Sequence, residues 1–212
     1  MNPVGILLAA GRGRRFDPTG ARNKLLAPLA GAGGEPVAAA SARTLLAVLP
    51  KVIAVVRPGD DGVASALRAL GCDVTVCPEA DQGMGASLAH GVGHSVRHFA
   101  HNSPAAPQSW LIALGDMPHL QQSTIEALAI AVAGGAIIAA PVLGGKRGNP
   151  VAFGAVCLPH LLALGGDEGA RRLLKLYPVT EVVVDDPGIF QDVDSPADLN
   201  QRSSDKLPRG RP

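Results

Sequence analysis

A loop rich in glycine and arginine is the part of the sequence that points most clearly to chemistry. The apolar run from Val4 to Ala10 has the length and composition of a buried strand, and Gly11 and Gly13 follow it. Glycine lets backbone N–H groups approach an anion closely, and basic side chains then neutralise its charge. Four basic residues follow the strand: Arg12, Arg14, Arg15 and Lys24. A strand that ends in such a loop is what triphosphate binding requires.

Two better-known phosphate-binding loops fit this segment poorly. The P-loop pattern Gly-x-x-x-x-Gly-Lys-Ser/Thr does not occur in the sequence. The dinucleotide fingerprint has Phe16 at its third glycine position, and the second apolar run ends in Arg57 rather than in an acid that could hold a ribose. A dinucleotide-binding fold and a plain surface loop with solvated arginines remain alternative interpretations of the loop taken alone.

Asp116 is the strongest candidate for a metal ligand. It follows the apolar run 111–114, so a buried strand would deliver one carboxylate at its carboxyl end before Pro118 stops the strand. Mg²⁺ typically takes only one or two protein carboxylates and completes its shell with water and phosphate oxygens. The alternative is an aspartate that caps the following helix, but Ser123 is the more natural cap. We therefore favour metal binding.

Three further segments each have a chemical and a purely structural interpretation. On an extended chain Asp192 and Asp194 point the same way and could share a site, but Asp194 or Ser195 could equally cap a short helix over residues 197–201. Segment 83–87 opens a long predicted helix whose free N–H groups suit a ribose or phosphate oxygen, although ordinary loop-to-helix geometry explains it equally well. Segment 148–151 could form a tight turn with an amide facing a ligand, but the bare sequence favours an ordinary β-turn.

Four histidines lie on one face of the same long predicted helix: His90, His94, His98 and His101. Imidazoles at this spacing could bind zinc or nickel. The face lies roughly opposite the apolar stripe of the helix, and the sequence offers no acidic partner nearby to orient the rings. The pattern therefore favours an exposed face that binds a nickel column adventitiously or forms part of a partner surface.

Composition excludes several classes of partner. The net charge of +1 gives no electrostatic footprint for duplex nucleic acid or an anionic membrane, and the 3% aromatic content argues against stacking platforms for single strands. No apolar run approaches the roughly 20 residues of a membrane span. The N-terminus lacks the basic region of a signal peptide, and the three cysteines predict buried, reduced thiols. We expect a cytoplasmic protein that binds neither nucleic acid nor membrane.

Apolar runs of strand length alternate with helical patterns along the chain. Continuous apolar runs indicate strands buried on both faces, so the alternation predicts one doubly wound α/β domain over residues 1–200, with a disordered tail over 201–212. The predicted strands are 4–10, 51–57, 73–77, 109–114, 136–142 and 180–185. The predicted helices are 36–49, 60–70, 84–99, 122–133, 155–163 and 167–176. The clearest apolar stripe is Met84, Leu88, Val92, Val96 and Phe99.

Six short motifs, in the right order, resemble those of the MobA-like nucleotidyltransferase family, and most closely those of the molybdenum cofactor cytidylyltransferases. Each motif is weak alone, but the ordered set covers nearly the whole chain and is specific. The motifs are Leu8-Ala9-Ala10-Gly11 with Arg15-Phe16 and Lys24, Gly83-Met84-Gly85-Ala86-Ser87, Gly115-Asp116-Met117-Pro118, Gly148-Asn149-Pro150-Val151, Gly166-Asp167-Glu168-Gly169-Ala170-Arg171 and Asp192-Val193-Asp194-Ser195-Pro196.

The resemblance implies a Rossmann-like, three-layer α/β/α nucleotidyltransferase domain with a mostly parallel sheet. It implies a reaction in which a nucleoside triphosphate and a phosphorylated acceptor give a nucleotidylated cofactor and pyrophosphate. The implied cofactors and partners are Mg²⁺, CTP, a molybdopterin-type pterin and a molybdenum-containing enzyme. Alternatives are a guanylyltransferase of the same cofactor, a sugar-1-phosphate nucleotidyltransferase and a non-catalytic factor that delivers the cofactor to a molybdenum enzyme.

The resemblance also implies roles for individual residues. It assigns catalysis to Arg15, Lys24 and Asp116, and Mg²⁺ binding to Asp116 with Asp192 or Asp194. The implied nucleotide-binding residues are Leu8, Ala9, Ala10, Gly11, Arg12, Gly13, Lys24, Gln82, Gly83, Met84 and Ser87. The implied acceptor-binding residues are Asn149, Asp167 and Arg171.

Two departures from the family pattern matter. Lys24 lies eight positions after Phe16, more than the family's usual few, so the insert 17–20 lengthens the loop and Arg22 could compete for the role of the lysine. The guanylyl branch usually has glycine where this chain has Ala10. A methyl group there would crowd a purine, so we infer a preference for cytosine over guanine.

Overall fold

A computed structural model describes residues 2–30, 33–59, 62–102, 108–167 and 169–200, apart from the side chains of 99–102. The expected tail, 201–212, lies outside the described residues, as do Glu168 and the side chains of Phe99 and His101. Among the described helices, none has both the length and the apolar character needed to cross a membrane.

The described residues form one eight-stranded mixed sheet in which parallel pairings predominate. The strand order is β3-β2-β1-β4-β7-β5-β6, and β8 pairs with β5. Pairings among β1 to β4 and between β5 and β8 are parallel, whereas β7 runs antiparallel between β4 and β5. The strands are β1 (Val4–Ala9), β2 (Val52–Val56), β3 (Asp73–Val76), β4 (Ser109–Leu114), β5 (Ile138–Leu143), β6 (Lys146–Arg147), β7 (Val151–Gly154) and β8 (Val179–Val183).

Helices cover both faces of this sheet, because its central strands are apolar on both sides. Leu7 and Ala9 of β1 face one core layer, whereas Ile6 and Leu8 face the other. The helices are α1 (Val37–Leu46), α2 (Val63–Ala69), α3 (Met84–Asn102), α4 (Gln122–Ala133), α5 (Leu158–Leu162) and α6 (Leu173–Leu176). Helices α1, α2 and α4 pack on the first layer, and α3, α5 and α6 on the second. The three-layer α/β/α architecture is therefore confirmed.

The sequence prediction missed two strands, β6 and β7. The turn predicted over 148–151 leads directly into β7, which pairs with β4 and buries Ala152 and Phe153. Four residues beside a proline and two glycines give too short an apolar signal to stand out from a turn. These strands make the sheet mixed rather than wholly parallel.

The interpretation of α3 needs two corrections. Leu88 and Val92 are buried as predicted, but Met84 is 47% exposed, because the first turn of the helix lies at the rim of a cleft. The histidine face does have an acidic partner. Asp73 Oδ2 lies 3.2 Å from His94 Nε2. The two residues are 21 positions apart in the sequence, and the edge strand β3 brings Asp73 beside α3.

The start of α4 is held by a distant carboxylate rather than by Ser123, so that expectation is wrong. Asp186, which is 1% exposed, accepts hydrogen bonds from the Gln121 backbone N–H at 2.9 Å and from Thr124 Oγ1 at 2.7 Å. It also accepts one from the Gly188 backbone N–H at 2.9 Å. One buried carboxylate thus joins the segment after β8 to the amino end of α4.

Candidate functional site

A cleft of about 450 Å³ opens where β1 and β4 end side by side. Leu8 of β1 pairs with Leu114 of β4, so the loops that leave both strands start at the same edge of the sheet. Small-molecule sites of open α/β sheets lie outside the carboxyl ends of the strands. The structure brings these sequence-predicted residues to the cleft: Leu8, Ala10, Gly11, Arg12, Gly13, Arg15, Lys24, Gly83, Met84, Ser87, Asp116, Asp167 and Asp194.

The glycine loop turns back over the stem of Lys24. Gly13 has a positive φ of 62°, which a side chain rarely adopts, and its carbonyl accepts the Phe16 N–H at 2.9 Å. A Cβ at Gly13 would come within 3.3 Å of Lys24 Cγ. Phe16 anchors the far end of the loop in a small core with Leu29 and Val193. The loop is therefore held against the lysine that follows it.

Lys24 is the centre of a charged cluster at the floor of the cleft. The residue is only 8% exposed, and its Nζ donates to Asp116 Oδ2 at 2.6 Å and lies 3.6 Å from Asp194 Oδ1. Arg15 Nη1 donates to Asp194 Oδ2 at 2.5 Å. The two acidic segments are joined directly, because the Val193 N–H donates to the Asp116 carbonyl at 2.8 Å. Three distant segments thus bring two cations and two carboxylates together.

The carboxylates at this floor fit a divalent cation. Asp116 Oδ1 is buried and has no hydrogen-bond donor within the part of the chain that the structure describes. The pKa of Asp192 is raised, first by burial and then by the neighbouring charges of Asp194 and Asp116. A buried carboxylate oxygen without a donor, with further carboxylates beside it, is what a Mg²⁺ or Mn²⁺ ion would bind. Asp116 and Asp194 line the cleft, while Asp192 lies outside its lining.

Asp81, which the sequence analysis did not single out, binds two arginines at the rim of the cleft. Arg12 Nε donates to Asp81 Oδ1 at 2.8 Å, and Arg57 Nη2 donates to the same oxygen at 2.8 Å. These contacts lower the pKa of Asp81, with the Arg12 hydrogen bond as the largest cause, and raise the pKa of Arg12. Arg12 and Asp81 are 69 positions apart, so no local pattern could reveal the pair.

The insert before Lys24 folds on itself and stays out of the cleft. Asp17 accepts hydrogen bonds from the Thr19 hydroxyl at 2.6 Å and from the Arg22 N–H at 2.8 Å. These bonds lower the pKa of Asp17, with the Thr19 hydroxyl as the largest cause. The Arg22 guanidinium lies over the Phe16 ring, 5.6 Å from its centre. Lys24, and not Arg22, therefore lines the cleft.

The amino end of α3 packs directly against the loop 165–167. The Gly85 N–H donates to the Gly166 carbonyl at 2.8 Å, and a Cβ at Gly85 would come within 2.6 Å of the Gly165 carbonyl oxygen. This close approach places Asp167 in the lining of the cleft, beside Met84. The second and fifth motifs of the sequence thus form one wall.

The remaining candidate residues lie outside the lining of the cleft. The Ala9 side chain belongs to the core, because it points to the opposite face of the sheet from Leu8. Gln82 and Arg171 are exposed to solvent in short 3₁₀ turns. Asn149 precedes β7 and donates its N–H to the Ile189 carbonyl at 3.0 Å, which puts it at the same edge of the sheet as the cleft.

Comparison with known proteins agrees with this architecture. Residues 5–182 match the MobA-like NTP transferase domain. The purine catabolism protein PucB of Bacillus subtilis is 29% identical over 211 residues, which cover 93% of this chain and 94% of that protein. The bifunctional protein GlmU of Chromobacterium violaceum is 31% identical over 143 residues, but these cover only 28% of its length.

Solved structures share the whole fold. Rv0371c from Mycobacterium tuberculosis H37Rv superposes with a TM-score of 0.72 at 26% identity, covering 93% of this chain and 95% of that one, and it has also been solved in complex with manganese. A nucleotidyl transferase from Methanothermobacter, Mth528, superposes with a TM-score of 0.75 at 24% identity, covering 93% and 94% of the two chains. The match over most of the chain shows that the protein belongs to the MobA-like NTP transferase family of nucleotidyltransferases.

Proposed function

We propose that this nucleotidyltransferase transfers CMP from CTP to the phosphate of a molybdopterin-type acceptor and releases pyrophosphate, with Mg²⁺ as its cofactor. The observation that carries the reaction is the floor of the cleft, where Lys24 and Asp116 meet at 2.6 Å beneath the glycine loop. A cation that follows two glycines suits a triphosphate, and the unsatisfied oxygen of Asp116 suits the metal that accompanies it.

The chemistry needs no covalent intermediate with the protein. The acceptor phosphate attacks the α-phosphorus in line, and the bond to the β-phosphate oxygen breaks as pyrophosphate leaves. The N–H groups of Gly11 and Gly13 and the charges of Arg15 and Lys24 would hold and neutralise the triphosphate. Asp116 and Asp194, with Asp192 nearby, would hold the Mg²⁺ ion. When bound, this ion supplies charge neutralisation between phosphate oxygens.

The preference for cytosine rests on Ala10. This residue is 7% exposed and lines the cleft, so its methyl group occupies space that a glycine would leave to a larger base. A pyrimidine ring needs less of that space than a purine ring. The alternative within the same reaction is guanylyl transfer.

The pterin acceptor is proposed to meet Asn149, Asp167 and Arg171. Of these, Asp167 already lies in the cleft, and Asn149 lies at the same sheet edge. A sugar phosphate is the alternative acceptor, but a sugar pocket would normally recruit tyrosine, and the chain has a single tyrosine, Tyr177. Similarity to the purine catabolism protein PucB supports purine catabolism as the setting in which a molybdenum-containing enzyme would receive the product.

The test is calorimetric titration with CTP, GTP, ATP and UTP in the presence of Mg²⁺, followed by pyrophosphate release with molybdopterin as acceptor. We expect CTP to bind most tightly, and pyrophosphate to appear only when the acceptor is present. Preferential GTP binding would overturn the role of Ala10 but keep the reaction. Triphosphate binding without turnover would favour a non-catalytic factor that delivers the cofactor.

A further inference from the structure

A second group of metal-ligating side chains lies far from the cleft, between the edge strand β3 and helix α3. It consists of Asp73, His94 and His98, whose ligand atoms all lie within 4.8 Å of one another. His94 Nε2 is 3.2 Å and His98 Nδ1 is 3.8 Å from the same oxygen, Asp73 Oδ2. The two imidazole rings are stacked, with centres 6.0 Å apart.

We propose that Asp73, His94 and His98 bind a divalent transition-metal ion of the zinc class. Two atoms bound to zinc at roughly 2.0–2.1 Å in a tetrahedral arrangement lie about 3.3 Å apart, close to the 3.2 Å between His94 Nε2 and Asp73 Oδ2. Histidines four positions apart on a helix present both rings to one point. One carboxylate from the adjacent strand completes a set of three ligands, whose donor atoms already lie within 4.8 Å of one another.

Remaining coordination positions would be filled by water. The side chains of the three residues are between 27% and 41% exposed, so an ion can enter without opening the fold. A cavity of about 290 Å³ borders Asp73 and His98 and is also lined by Lys51 and Cys72. This space gives solvent direct access to one side of the site.

The two metal sites would select different ions. Imidazole nitrogen suits zinc, nickel and copper, whereas Mg²⁺ prefers the oxygen ligands of the cleft. The two sites also lie toward opposite ends of the strands. Asp73 is the first residue of β3, whereas the cleft adjoins the carboxyl ends of the parallel strands β1 and β4. A bound ion would tie the edge strand β3 to α3.

The neighbouring group of Cys77, Glu79 and His90 is a weaker candidate. A cysteine binds metal as the thiolate, but Cys77 is fully buried and its pKa is raised, with burial as the largest cause. His90 Nε2 is already 2.9 Å from the hydroxyl of Thr75. This group is therefore less suited to a metal ion than Asp73, His94 and His98.

The test is titration of Zn²⁺ and Co²⁺ into untagged protein in a large excess of Mg²⁺, which occupies oxygen-rich sites. Calorimetry should give one equivalent of Zn²⁺, and Co²⁺ should give visible absorption bands of a site with nitrogen ligands. The affinity should fall at least about tenfold in His94→Ala, His98→Gln and Asp73→Asn, since even loss of a group that only supports a ligand costs that much.

Two variants serve as matched controls. His160→Ala removes an exposed histidine on α5, and His90→Ala removes the histidine of the rejected group, so both should keep the wild-type affinity. The metal-free melting temperature of each variant reports folding separately from binding. Absence of zinc binding by the wild type would overturn the proposal. So would an affinity unchanged by all three ligand substitutions.

Discussion

Lys24 and Asp116 are 92 positions apart in the chain, yet their side chains form a direct ion pair at the floor of the cleft. The lysine is buried, and the carboxylates of Asp116 and Asp194 lie beside its ammonium group. Asp116 is the partner that also keeps an oxygen free of donors among the described residues. One oxygen of Asp116 therefore binds Lys24, and the other is available to the proposed cation. Substitutions of Asp116 and of Lys24 test these roles.

Replacing Asp116 by Asn should abolish turnover without unfolding the protein. The change keeps the shape of the side chain but removes the charge proposed to hold the metal, so kcat should fall by at least about 10²-fold. Pyrophosphate release measures the loss, and circular dichroism checks the fold. Asp185→Asn, at an exposed aspartate, is the control and should keep wild-type turnover. An active, folded Asp116→Asn protein would show that this carboxylate is not essential.

Replacing Lys24 by Ala should lower kcat/KM for the triphosphate by about 10- to 100-fold, the value of one charge-assisted hydrogen bond. The matched control is Arg22→Ala, because Arg22 follows the same insert but stacks on Phe16 outside the cleft. Steady-state kinetics with varied triphosphate decide between them. A larger loss in the Arg22 variant than in the Lys24 variant would reverse their assignment.

Asp192 should make the stability of the metal-free protein depend on pH. Its pKa is raised in the folded state, so its contribution to stability is complete below the unfolded pKa of about 3.9 and is lost as the pH rises through the folded pKa. Asp192→Asn removes this loss and should be more stable than the wild type at neutral pH. Urea denaturation over a pH series measures the difference, which should vanish in acid. A difference that is constant with pH would contradict the shift.

At the scale of elements, the contact between α3 and the loop 165–167 is the most demanding fit in the site. Gly85→Ala would put a methyl group 2.6 Å from the Gly165 carbonyl oxygen, so we expect about 1–3 kcal/mol of destabilisation and displacement of Asp167 from the cleft. Gly93→Ala, on the same helix, would meet the flexible end of Arg97 at 3.2 Å and Leu162 Cδ2 at an ordinary 3.6 Å, and should stabilise by up to about 1 kcal/mol. Chemical denaturation measures the free energy of unfolding of both variants. Equal changes in the two would contradict the close packing of α3 against the loop 165–167.

The elements that the sequence predicted well share one property: a long, unambiguous hydrophobic pattern. The strand before the glycine loop, the strand before Asp116 and the long helix α3 all appear within a few residues of their predicted bounds. Strand β7 is only four residues long and follows residues typical of a turn, so its hydrophobic pattern was too short to predict a strand. The pairing of Asp73 with the histidine face was missed because it depends on which strand lies beside α3.

At the scale of the whole molecule, the alternation of strands and helices was enough to predict the layered architecture and the edge at which the cleft forms. Continuous apolar strands require helices on both faces, and parallel strands bring their carboxyl ends to one edge. Motif residues make up most of the lining of the cleft, and two of the motifs lie at the carboxyl ends of the parallel strands β1 and β4. Ion pairs such as Arg12 with Asp81 depend on side-chain directions across the cleft, which no pattern along the chain encodes.

The bridge formed by Asp81 has a consequence for how a substrate would enter. Under the proposed function, the Asp81 carboxylate competes with the triphosphate for binding to Arg12. Because Asp81 belongs to the same chain, it is present beside Arg12 at a high effective concentration. Nucleotide arrival is then an exchange of one anion for another, rather than the filling of a vacant positive site. Departure of pyrophosphate is the reverse exchange, in which Asp81 recaptures Arg12 and helps the product to leave.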